Sequence, residues 1–366
     1  MFAAIKAEYP NNKYPIYISD NLTSQISLFL KGHPKSNIII IIDQVFKDKK
    51  LHIDQNFTSL LNDYNTYFID GGIENKSLSK VNELCNLIFN LKIPRDGFIV
   101  SIGGGVIGDL CGLVASLYMR GINLIHVPTT MTAAVDSSIG GKTGVNFNKT
   151  INLIGSYYHP KAIFIDMRFF LSLEKRDLNS GIAESIKSAF IADIEFYNFL
   201  DRNSENILGL SFDHIYDLIY KSIQIKLYHT VSDEKEQSKR LFLNYGHTFG
   251  QSFESFYGID ESLLRHGEAV SIGMVCAAKL AEIIYENKMI LDQHKSLLLK
   301  YKLPIEISKI KSKKIPTIDT LTNGIENDKK RITEGNKFII CKELANAEII
   351  IINDKSIIEE CFQTVI

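Results

Sequence analysis

Short apolar runs that recur through the first half of the chain constrain its fold more than any other feature. Each run is aliphatic or aromatic and is separated from the next by a polar stretch with helical spacing. This alternation is typical of parallel strands that are buried on both faces and joined by helices. The predicted strands are residues 38–42, 67–69, 98–102, 124–127 and 162–165. We therefore predict an α/β domain with a parallel sheet.

After residue 168 the apolar residues recur at helical spacing instead. The predicted helices lie near residues 181–201, 213–231, 238–257, 266–287 and 291–301. Two short apolar runs near the C-terminus could form a hairpin, although their periodicity alone does not assign them; they are residues 337–341 and 348–352. We expect two domains, an α/β domain over residues 1–168 and a mainly α-helical domain over residues 169–366.

The composition argues against nucleic-acid and membrane partners. The chain has 366 residues, of which 45% are hydrophobic and 23% charged, and its formal net charge is −1. This charge leaves no basic surface for nucleic acid, and no apolar stretch is long enough to cross a bilayer. The five cysteines include no Cys-x-x-Cys pair, which argues against disulfides and a thiolate metal site. With no signal-peptide pattern either, we expect a cytoplasmic protein.

Polar residues and glycines follow several of the predicted strands. Asp43 follows the first strand, and the turn Gly103-Gly-Gly-Val-Ile-Gly-Asp109 follows the third and opens a helical stretch. The carboxyl ends of parallel strands face one binding crevice, and a helix N-terminus favours a pyrophosphate. The turn is not of the Gly-x-Gly-x-x-Gly form, so only this context makes it a predicted dinucleotide site.

Three polar residues that are far apart in the sequence predict a metal site: Glu184, His247 and His266. One carboxylate and two imidazoles are ligands that a catalytic zinc uses when it keeps a position open for water or substrate. Each residue alone would be interpreted as a helix cap or a solvated side chain. Glycines adjoin both histidines, however, and a glycine inside a helix costs about 1 kcal/mol relative to alanine. Something is therefore expected to approach these helices closely.

The segment over residues 127–147 is dense in glycine, serine and threonine and supplies many hydrogen-bond donors. Within it, Asp136 could bind the hydroxyl groups of a polar substrate and Lys142 a phosphate. The alternative is an ordinary surface loop. Against that alternative, the segment contains apolar residues at 133–135 and 139, which a solvated loop does not need.

Together these motifs resemble the 3-dehydroquinate synthases of the sugar phosphate cyclase superfamily. The resemblance covers nearly the whole chain and is most specific in residues 103–116, 128–146, 181–187, 243–250 and 266–274. It implies a Rossmann-like NAD domain, a helical domain with a catalytic zinc or cobalt ion, and a homodimer. It also implies a lyase of the shikimate pathway, which leads to chorismate and the aromatic amino acids. The expected substrate is a phosphorylated sugar acid, 3-deoxy-D-arabino-heptulosonate 7-phosphate, and the expected products are 3-dehydroquinate and phosphate.

The resemblance implies a role for each residue at a matching position. The metal ligands would be Glu184, His247 and His266. The residues expected to contact the substrate are Asp136, Lys142, Asn152, Lys187, Lys226, Arg240, Asn244, Arg120 and Lys330, with Lys329 as the alternative to Lys330 and with Arg120 open to contribution by the neighbouring subunit. The residues expected to contact NAD are Asp43, Glu74, Lys76, Gly104, Gly105, Val106, Gly108, Asp109, Thr129, Thr130, Lys142, Phe169 and Ser172.

Three positions depart from the family pattern. Gln251 stands where a second histidine is usual, and an amide cannot exchange a proton near neutral pH. Ile151 stands where a lysine is expected to meet NAD, with Lys149 two residues away. Ile73 stands where a ribose-binding glutamate would fall, unless the loop shifts by one residue and brings Glu74 there.

These departures leave other functions open. A sister cyclase could act on another phosphorylated sugar, such as sedoheptulose 7-phosphate, although that substrate lacks the carboxylate that Lys226 and Arg240 would bind. An iron-type alcohol dehydrogenase shares the two-domain plan but accumulates NADH. A non-catalytic binding protein would explain the departures, but it would have no reason to keep all three metal ligands.

Overall fold

The computed structural model describes residues 2–48, 55–148, 150–258, 261–310, 312, 314–329 and 336–366. The chain forms two compact units. Unit 1 comprises Met1–Glu174 and Phe212–Ile223, and unit 2 comprises Lys175–Ser211 and Gln224–Ile366. The domain boundary at residues 168 and 169 stays a prediction. In the described part of the chain, no helix combines the length and hydrophobicity that crossing a membrane requires.

Unit 1 contains a seven-stranded sheet and a separate two-stranded hairpin. Its strands are β1 (Phe2–Glu8), β2 (Lys13–Ser19), β3 (Ile38–Asp43), β4 (Asn65–Ile69), β5 (Phe98–Gly103), β6 (Asn123–Pro128), β7 (Lys142–Phe147), β8 (Thr150–Tyr157) and β9 (Ala162–Asp166). The order in the large sheet is β1-β2-β9-β6-β5-β3-β4, and every pair except β1–β2 is parallel. The predicted parallel sheet is confirmed.

Both faces of the sheet are covered by apolar side chains. Ile38, Ile40 and Ile42 of β3 belong to one core cluster, and Ile39 and Ile41 belong to another. Alternation of side chains along a strand explains this division. The prediction of burial on both faces is wrong for β4, which is half-buried over most of its length because it lies at the edge of the sheet.

In the described part of unit 1, the helices that connect these strands are α1 (Thr23–Leu30), α2 (Val45–Asp48), α3 (Gln55–Asp63), α4 (Leu78–Asn90) and α5 (Gly105–Leu117). The segment 127–147, predicted as a long loop, contains a π-helical turn at Ala133–Ser137 and then enters β7, which pairs with β8. Its apolar residues are buried, so it is not a solvated loop.

Unit 2 is mainly helical, as predicted. The helices are α6 (Lys175–Ala192), α7 (Ile194–Arg202), α8 (Ser204–Leu208), α9 (Phe212–Val231), α10 (His247–Tyr257), α11 (His266–Tyr285), α12 (Lys288–Lys300), α13 (Ile318–Lys329) and α14 (Lys355–Gln363), and α9 begins in unit 1. The predicted hairpin is confirmed as β10 (Lys337–Glu343) and β11 (Asn346–Ile351). The single helix predicted over 181–201 is wrong: Asp193 interrupts it and caps α7 by accepting a hydrogen bond from the backbone N–H of Phe196 at 2.9 Å.

Glycines allow α6, α10 and α11 to approach one another closely. A Cβ atom at Gly267 would lie 1.8 Å from the carbonyl oxygen of Ser180, and one at Gly273 would lie 2.0 Å from the carbonyl oxygen of Gly246. Gly246 itself has a left-handed φ of +77° immediately before α10. The close approach expected from the sequence is confirmed, and the approaching groups are neighbouring helices. This packing brings the ends of α10 and α11 to α6.

Candidate active site

Three helices of unit 2 bring a carboxylate and two imidazoles together. Glu184 lies in the middle of α6, while His247 and His266 are the first residues of α10 and α11. The Oε1 atom of Glu184 lies 3.3 Å from Nε2 of His266 and 3.9 Å from Nε2 of His247. One ligand atom from each residue lies within 4.8 Å of the others. Ligands about 2.0–2.1 Å from a tetrahedral ion are roughly 3.4 Å apart, so this spacing fits one divalent metal ion.

The second nitrogen of each imidazole has its own partner. Nδ1 of His247 lies 3.2 Å from the carbonyl oxygen of Tyr245, and Nδ1 of His266 lies 2.8 Å from Oε1 of Glu254. These contacts orient both Nε2 atoms toward Glu184. A histidine that ligates a metal usually donates its other ring N–H to a carbonyl or carboxylate in this way.

Glu184 is held in the charged form that a metal ligand needs. Its side chain is 2% exposed, and neither carboxylate oxygen makes a hydrogen bond of normal geometry with the described residues, although Lys187 forms an ion pair with Oε2. Burial alone would raise the pKa of Glu184, but the charge of Lys187 and the two histidines hold it well below its ordinary value. The carboxylate therefore stays ionised and has lone pairs for a cation.

The two histidines differ in their affinity for a proton. Burial, together with the charge of Lys187, lowers the pKa of His247 to about 4, so this ring is neutral near pH 7. Burial would also lower the pKa of His266, but its ring is 42% exposed, and the carboxylates of Glu254 and Glu184 raise its pKa well above the ordinary value. A proton on His266 would therefore compete with a metal ion.

Unit 2 also contains three buried cationic residues among those predicted to contact substrate. Lys187, Lys226 and Arg240 have exposed fractions of 2%, 8% and 1%. The Nη1 atom of Arg240 donates a hydrogen bond to the carbonyl oxygen of Glu234 at 2.6 Å. Buried cationic side chains suit an anionic ligand.

Acidic residues that no sequence motif marks hold Asn244 and the turn before it. The Nδ2 atom of Asn244 donates a hydrogen bond to Oε1 of Glu236 at 2.7 Å. Asp233 accepts hydrogen bonds from three backbone N–H groups of the turn that leads to Arg240. These acidic residues fix the predicted substrate residues. Glu236 lies eight residues before Asn244 and Asp233 lies seven residues before Arg240, but this spacing forms no fixed motif that would have identified them.

In unit 1 the glycine turn lies where the strand order reverses. β3 pairs with β4 on one side and with β5 on the other. The chain leaves β3 toward β4 at one edge of the sheet, and it leaves β5 toward β6 in the opposite direction. Asp43 ends β3, and Gly104 precedes the first turn of α5, which contains Gly105, Val106 and Gly108. In an open α/β sheet this is the expected position of a dinucleotide site.

The turn is closely packed against the residues that follow β6. A Cβ atom at Gly104 would lie 3.0 Å from Cγ2 of Thr130, and one at Gly105 would lie 3.1 Å from Oγ of Ser137. The backbone N–H of Thr129 donates a hydrogen bond to the carbonyl oxygen of Gly103 at 2.9 Å. The two predicted threonines and the predicted glycines are therefore neighbours.

Lys76, Asp109 and Asn152 form a second cluster of predicted residues in unit 1. The Nζ atom of Lys76 lies 2.6 Å from Oδ2 of Asp109 and 2.5 Å from Oδ1 of Asn152. Lys76 is only 6% exposed, and Asn152 has a left-handed φ of +54°. The structure thus brings together two residues predicted to contact NAD, Lys76 and Asp109, and one predicted to contact the substrate, Asn152.

Other predicted residues are placed differently. The ring of Phe169 packs in the core against Phe46 and Phe57, with centroids 5.4 and 5.5 Å apart, so its side chain is buried. The Oγ atom of Ser172 donates a hydrogen bond to the carbonyl oxygen of Phe169. Glu74, Arg120 and Lys142 are exposed, and Asp136 is half-buried in the π-helical turn. Lys330 lies outside the described residues.

The three departures from the family pattern lie at accessible positions. Gln251 is exposed on α10, and Ile151 is 40% exposed at the start of β8. Ile73 is half-buried in a short 3-10 turn, where the exposed Glu74 follows it. Lys149 lies outside the described residues.

Solved structures with the same fold define the class of protein. A 2-epi-5-epi-valiolone synthase from Streptomyces hygroscopicus, solved with NAD+ and Zn2+, superposes with a TM-score of 0.85 and 23% identity over 98% of both chains. A 2-deoxy-scyllo-inosose synthase complexed with carbaglucose-6-phosphate, NAD+ and Co2+ superposes with a TM-score of 0.83 and 25% identity over 100% of both chains. An iron-containing alcohol dehydrogenase superposes with a TM-score of 0.66 and 13% identity, over 100% of this chain and 99% of its own. The fold is that of the sugar phosphate cyclases.

Sequence comparisons identify the family within this class. Residues 66–180 match the family model for the 3-dehydroquinate synthase N-terminal region, and residues 181–331 match that for the C-terminal region. A 3-dehydroquinate synthase of Dictyoglomus turgidum is 37% identical over 95% of both chains, and one of Campylobacter jejuni is 36% identical over 94% of this chain and 95% of its own. The chain belongs to the 3-dehydroquinate synthase family, a family of enzymes.

Proposed function

We propose that this enzyme converts 3-deoxy-D-arabino-heptulosonate 7-phosphate into 3-dehydroquinate and phosphate. The observation that carries the proposal is the triad of Glu184, His247 and His266 beside the buried cation of Lys187, in a chain 37% identical to a 3-dehydroquinate synthase. The reaction comprises oxidation, β-elimination of phosphate, reduction, ring opening and aldol closure. Phosphate is released, and no net oxidation occurs.

Two bound groups would supply the chemistry that side chains cannot. NAD would accept and return a hydride, and a zinc or cobalt ion would polarise the substrate oxygen that is oxidised. Glu184, His247 and His266 would hold the ion, since their spacing fits it and Glu184 is ionised and His247 neutral; the ion would take the place of a proton on Nε2 of His266. The glycine turn at Gly104 and Gly105 would hold the pyrophosphate of NAD, with the other predicted unit 1 residues around it. Relatives of the same fold were solved with NAD+ and with Zn2+ or Co2+, which supports both assignments.

The chain's own cations would bind and orient the anionic substrate. Lys226 and Arg240 would contact the carboxylate, and Asp136, Lys187 and Asn244 the hydroxyl groups. The phosphate would meet Lys142, Asn152 and Arg120, and Lys330, or Lys329 in its place, would close over the substrate. Hydrogen bonds from the Arg240 guanidinium to Glu234 and from Asn244 to Glu236 support preorganised binding of a flexible sugar.

A sister cyclase acting on sedoheptulose 7-phosphate is the second candidate. Gln251 favours it, as does the TM-score of 0.85 with 2-epi-5-epi-valiolone synthase. Identity is lower with that enzyme, 23% against 37%, and the buried Lys226 and Arg240 suit a carboxylate that sedoheptulose 7-phosphate lacks. These observations favour the sugar-acid substrate.

We further propose a homodimer in the cytoplasm. The support for the homodimer is the family resemblance and the exposed position of Arg120, which is accessible to a neighbouring subunit. Sedimentation of the purified protein should give a mass of about twice 41.4 kDa.

The substrate is tested by offering both sugars to the purified protein with NAD and zinc. Chromatography should detect 3-dehydroquinate from the heptulosonate phosphate and no carbocycle from sedoheptulose 7-phosphate. The reverse preference would favour the sister cyclase. No product from either sugar, with both cofactors bound, would overturn the catalytic proposal.

A further inference from the structure

Glu254 contacts the predicted metal site although none of the predicted roles includes it. It lies on α10, seven residues after His247, and two helical turns place both side chains on the same face of that helix. From there its Oε1 atom reaches Nδ1 of His266, on α11, at 2.8 Å. Helix α10 thus provides one predicted ligand and orients another that belongs to a different helix.

The two predicted histidine ligands are held unequally. His247 has a side chain that is 15% exposed, and its Nδ1 atom is paired with a neutral backbone carbonyl at 3.2 Å. His266 is 42% exposed; its Nε2 atom lies 3.3 Å from Glu184, and among the described residues its one side-chain hydrogen bond is with Glu254. The more exposed ring therefore depends for its orientation on one carboxylate.

A carboxylate at Nδ1 has two consequences for a ligand histidine. It fixes the tautomer that carries the proton on Nδ1, which leaves the Nε2 lone pair for a metal, and it makes that nitrogen a stronger donor than a carbonyl partner does. Glu254 is itself only 15% exposed, so water competes little for its Oε1 atom.

We propose that Glu254 is a positioning residue that orients His266 and strengthens its Nε2 atom as a metal ligand. This inference rests on the proposed function, because it requires that the triad binds a divalent ion. It predicts that Glu254 contributes to metal affinity without touching the metal or the substrate.

The test measures the zinc dissociation constant of the full-length protein by competition with a chromophoric chelator. Glu254→Ala should weaken zinc binding by about 10- to 100-fold, the usual effect of losing such a partner. Glu254→Gln should weaken it less, because its amide oxygen still accepts the Nδ1 proton. The matched control is Glu282→Gln on α11, which changes a carboxylate paired with Lys279 and should leave zinc affinity unchanged.

A second readout separates orientation of the ligand from general loss of structure. The visible absorption spectrum of the cobalt-loaded protein should change in Glu254→Ala and in Glu254→Gln, and should stay unchanged in Glu282→Gln. If Glu254→Ala does not fold, Glu254→Gln provides both measurements. Unchanged zinc affinity and an unchanged cobalt spectrum in a folded Glu254 variant would overturn the inference.

Failure of the proposed function would be recognised separately. If the wild-type protein binds neither zinc nor cobalt, the metal site itself is wrong. If the wild type binds them and His247→Ala does not, but the Glu254 variants bind as tightly as the wild type, only the role of Glu254 is wrong.

Discussion

The candidate sites of the two units are formed by different chemical groups. In unit 1 the predicted NAD site consists of glycines and strand ends, where backbone groups and close packing define the geometry. In unit 2 the predicted metal and substrate site consists of buried charged side chains on packed helices, with Glu184, Lys187 and Arg240 each at most 2% exposed. A backbone site accepts an extended polar ligand, whereas buried charges select a small ion or anion by electrostatics.

This difference predicts that the two binding activities can be impaired separately. Substitutions in unit 2 should alter metal binding and leave NAD binding intact, and substitutions at the glycine turn should do the reverse.

The largest effect is expected from His247→Ala. It removes one of three predicted ligands, so turnover should be abolished. Zinc affinity should fall by more than about 100-fold, the largest usual loss when only a residue that orients a ligand is removed. Metal analysis of the dialysed protein checks the loss of zinc, and fluorescence titration should show that NAD still binds. Wild-type turnover in this variant would refute the metal assignment.

Each unit contains a buried neutral histidine that should destabilise the protein in acid. Burial lowers the pKa of His126 in unit 1 and of His294 in unit 2 to about 4. Because these folded pKa values lie below the unfolded value near 6.5, the stabilising contribution is complete above pH 6.5 and is lost as pH falls toward 4. At pH 5 the loss is about 2 kcal/mol for each histidine.

Urea unfolding at pH 7 and pH 5 measures this effect. His294→Gln removes the titrating group, so its unfolding free energy should depend less on pH than that of the wild type. Equal pH dependence in the two proteins would contradict the assignment of His294 as a neutral buried histidine.

The glycine turn is tested by Gly104→Val. The added side chain would approach Thr130, since even a Cβ atom would lie 3.0 Å from its Cγ2 atom. Overpacking of this kind costs about 1–3 kcal/mol, which corresponds to a loss of NAD affinity of roughly 5- to 150-fold if the cost falls on the bound state. Isothermal titration with NAD measures the loss, and zinc content serves as the control. A loss of zinc with NAD affinity preserved would break the comparison between the units.

The smallest effect is expected from Gln251→His. The residue is exposed on α10, one helical turn after His247. An imidazole there can exchange a proton near neutral pH, so we expect a change in turnover of a few fold and an added pH dependence near pH 6.5. Metal content should stay the same. A changed metal content would mean that residue 251 acts on the metal rather than on the reaction.

The buried strands of unit 1 were predictable because they are apolar on both faces. β3 is the clearest example, because its five consecutive isoleucines place apolar side chains on both faces of a strand and favour burial of both. β1 and β2 are not predictable in this way, because both alternate buried with more exposed residues and β2 also contains Pro15, which makes a short run of this kind ambiguous. The helix break at Asp193 was missed because helical periodicity continues across it.

The metal triad was predictable because its chemistry is carried by the residue types themselves. The partners of side chains in the sites were not predictable in this way. Glu254 and His266 meet only when α10 packs beside α11. In unit 1, Lys76 and Asn152 are 76 positions apart in the sequence and meet only in the folded chain. Phe169 illustrates the opposite case, since its family position predicts cofactor contact and its ring is packed in the core. Its contact with NAD stays a prediction.

The most direct test of the account follows phosphate and NADH in one cuvette. Purified protein with zinc and NAD is given 3-deoxy-D-arabino-heptulosonate 7-phosphate. The account predicts many equivalents of phosphate released for each enzyme molecule without accumulation of NADH, because the hydride returns to the substrate within each turnover. NADH accumulating in proportion to substrate consumed would indicate a dehydrogenase and would contradict the account.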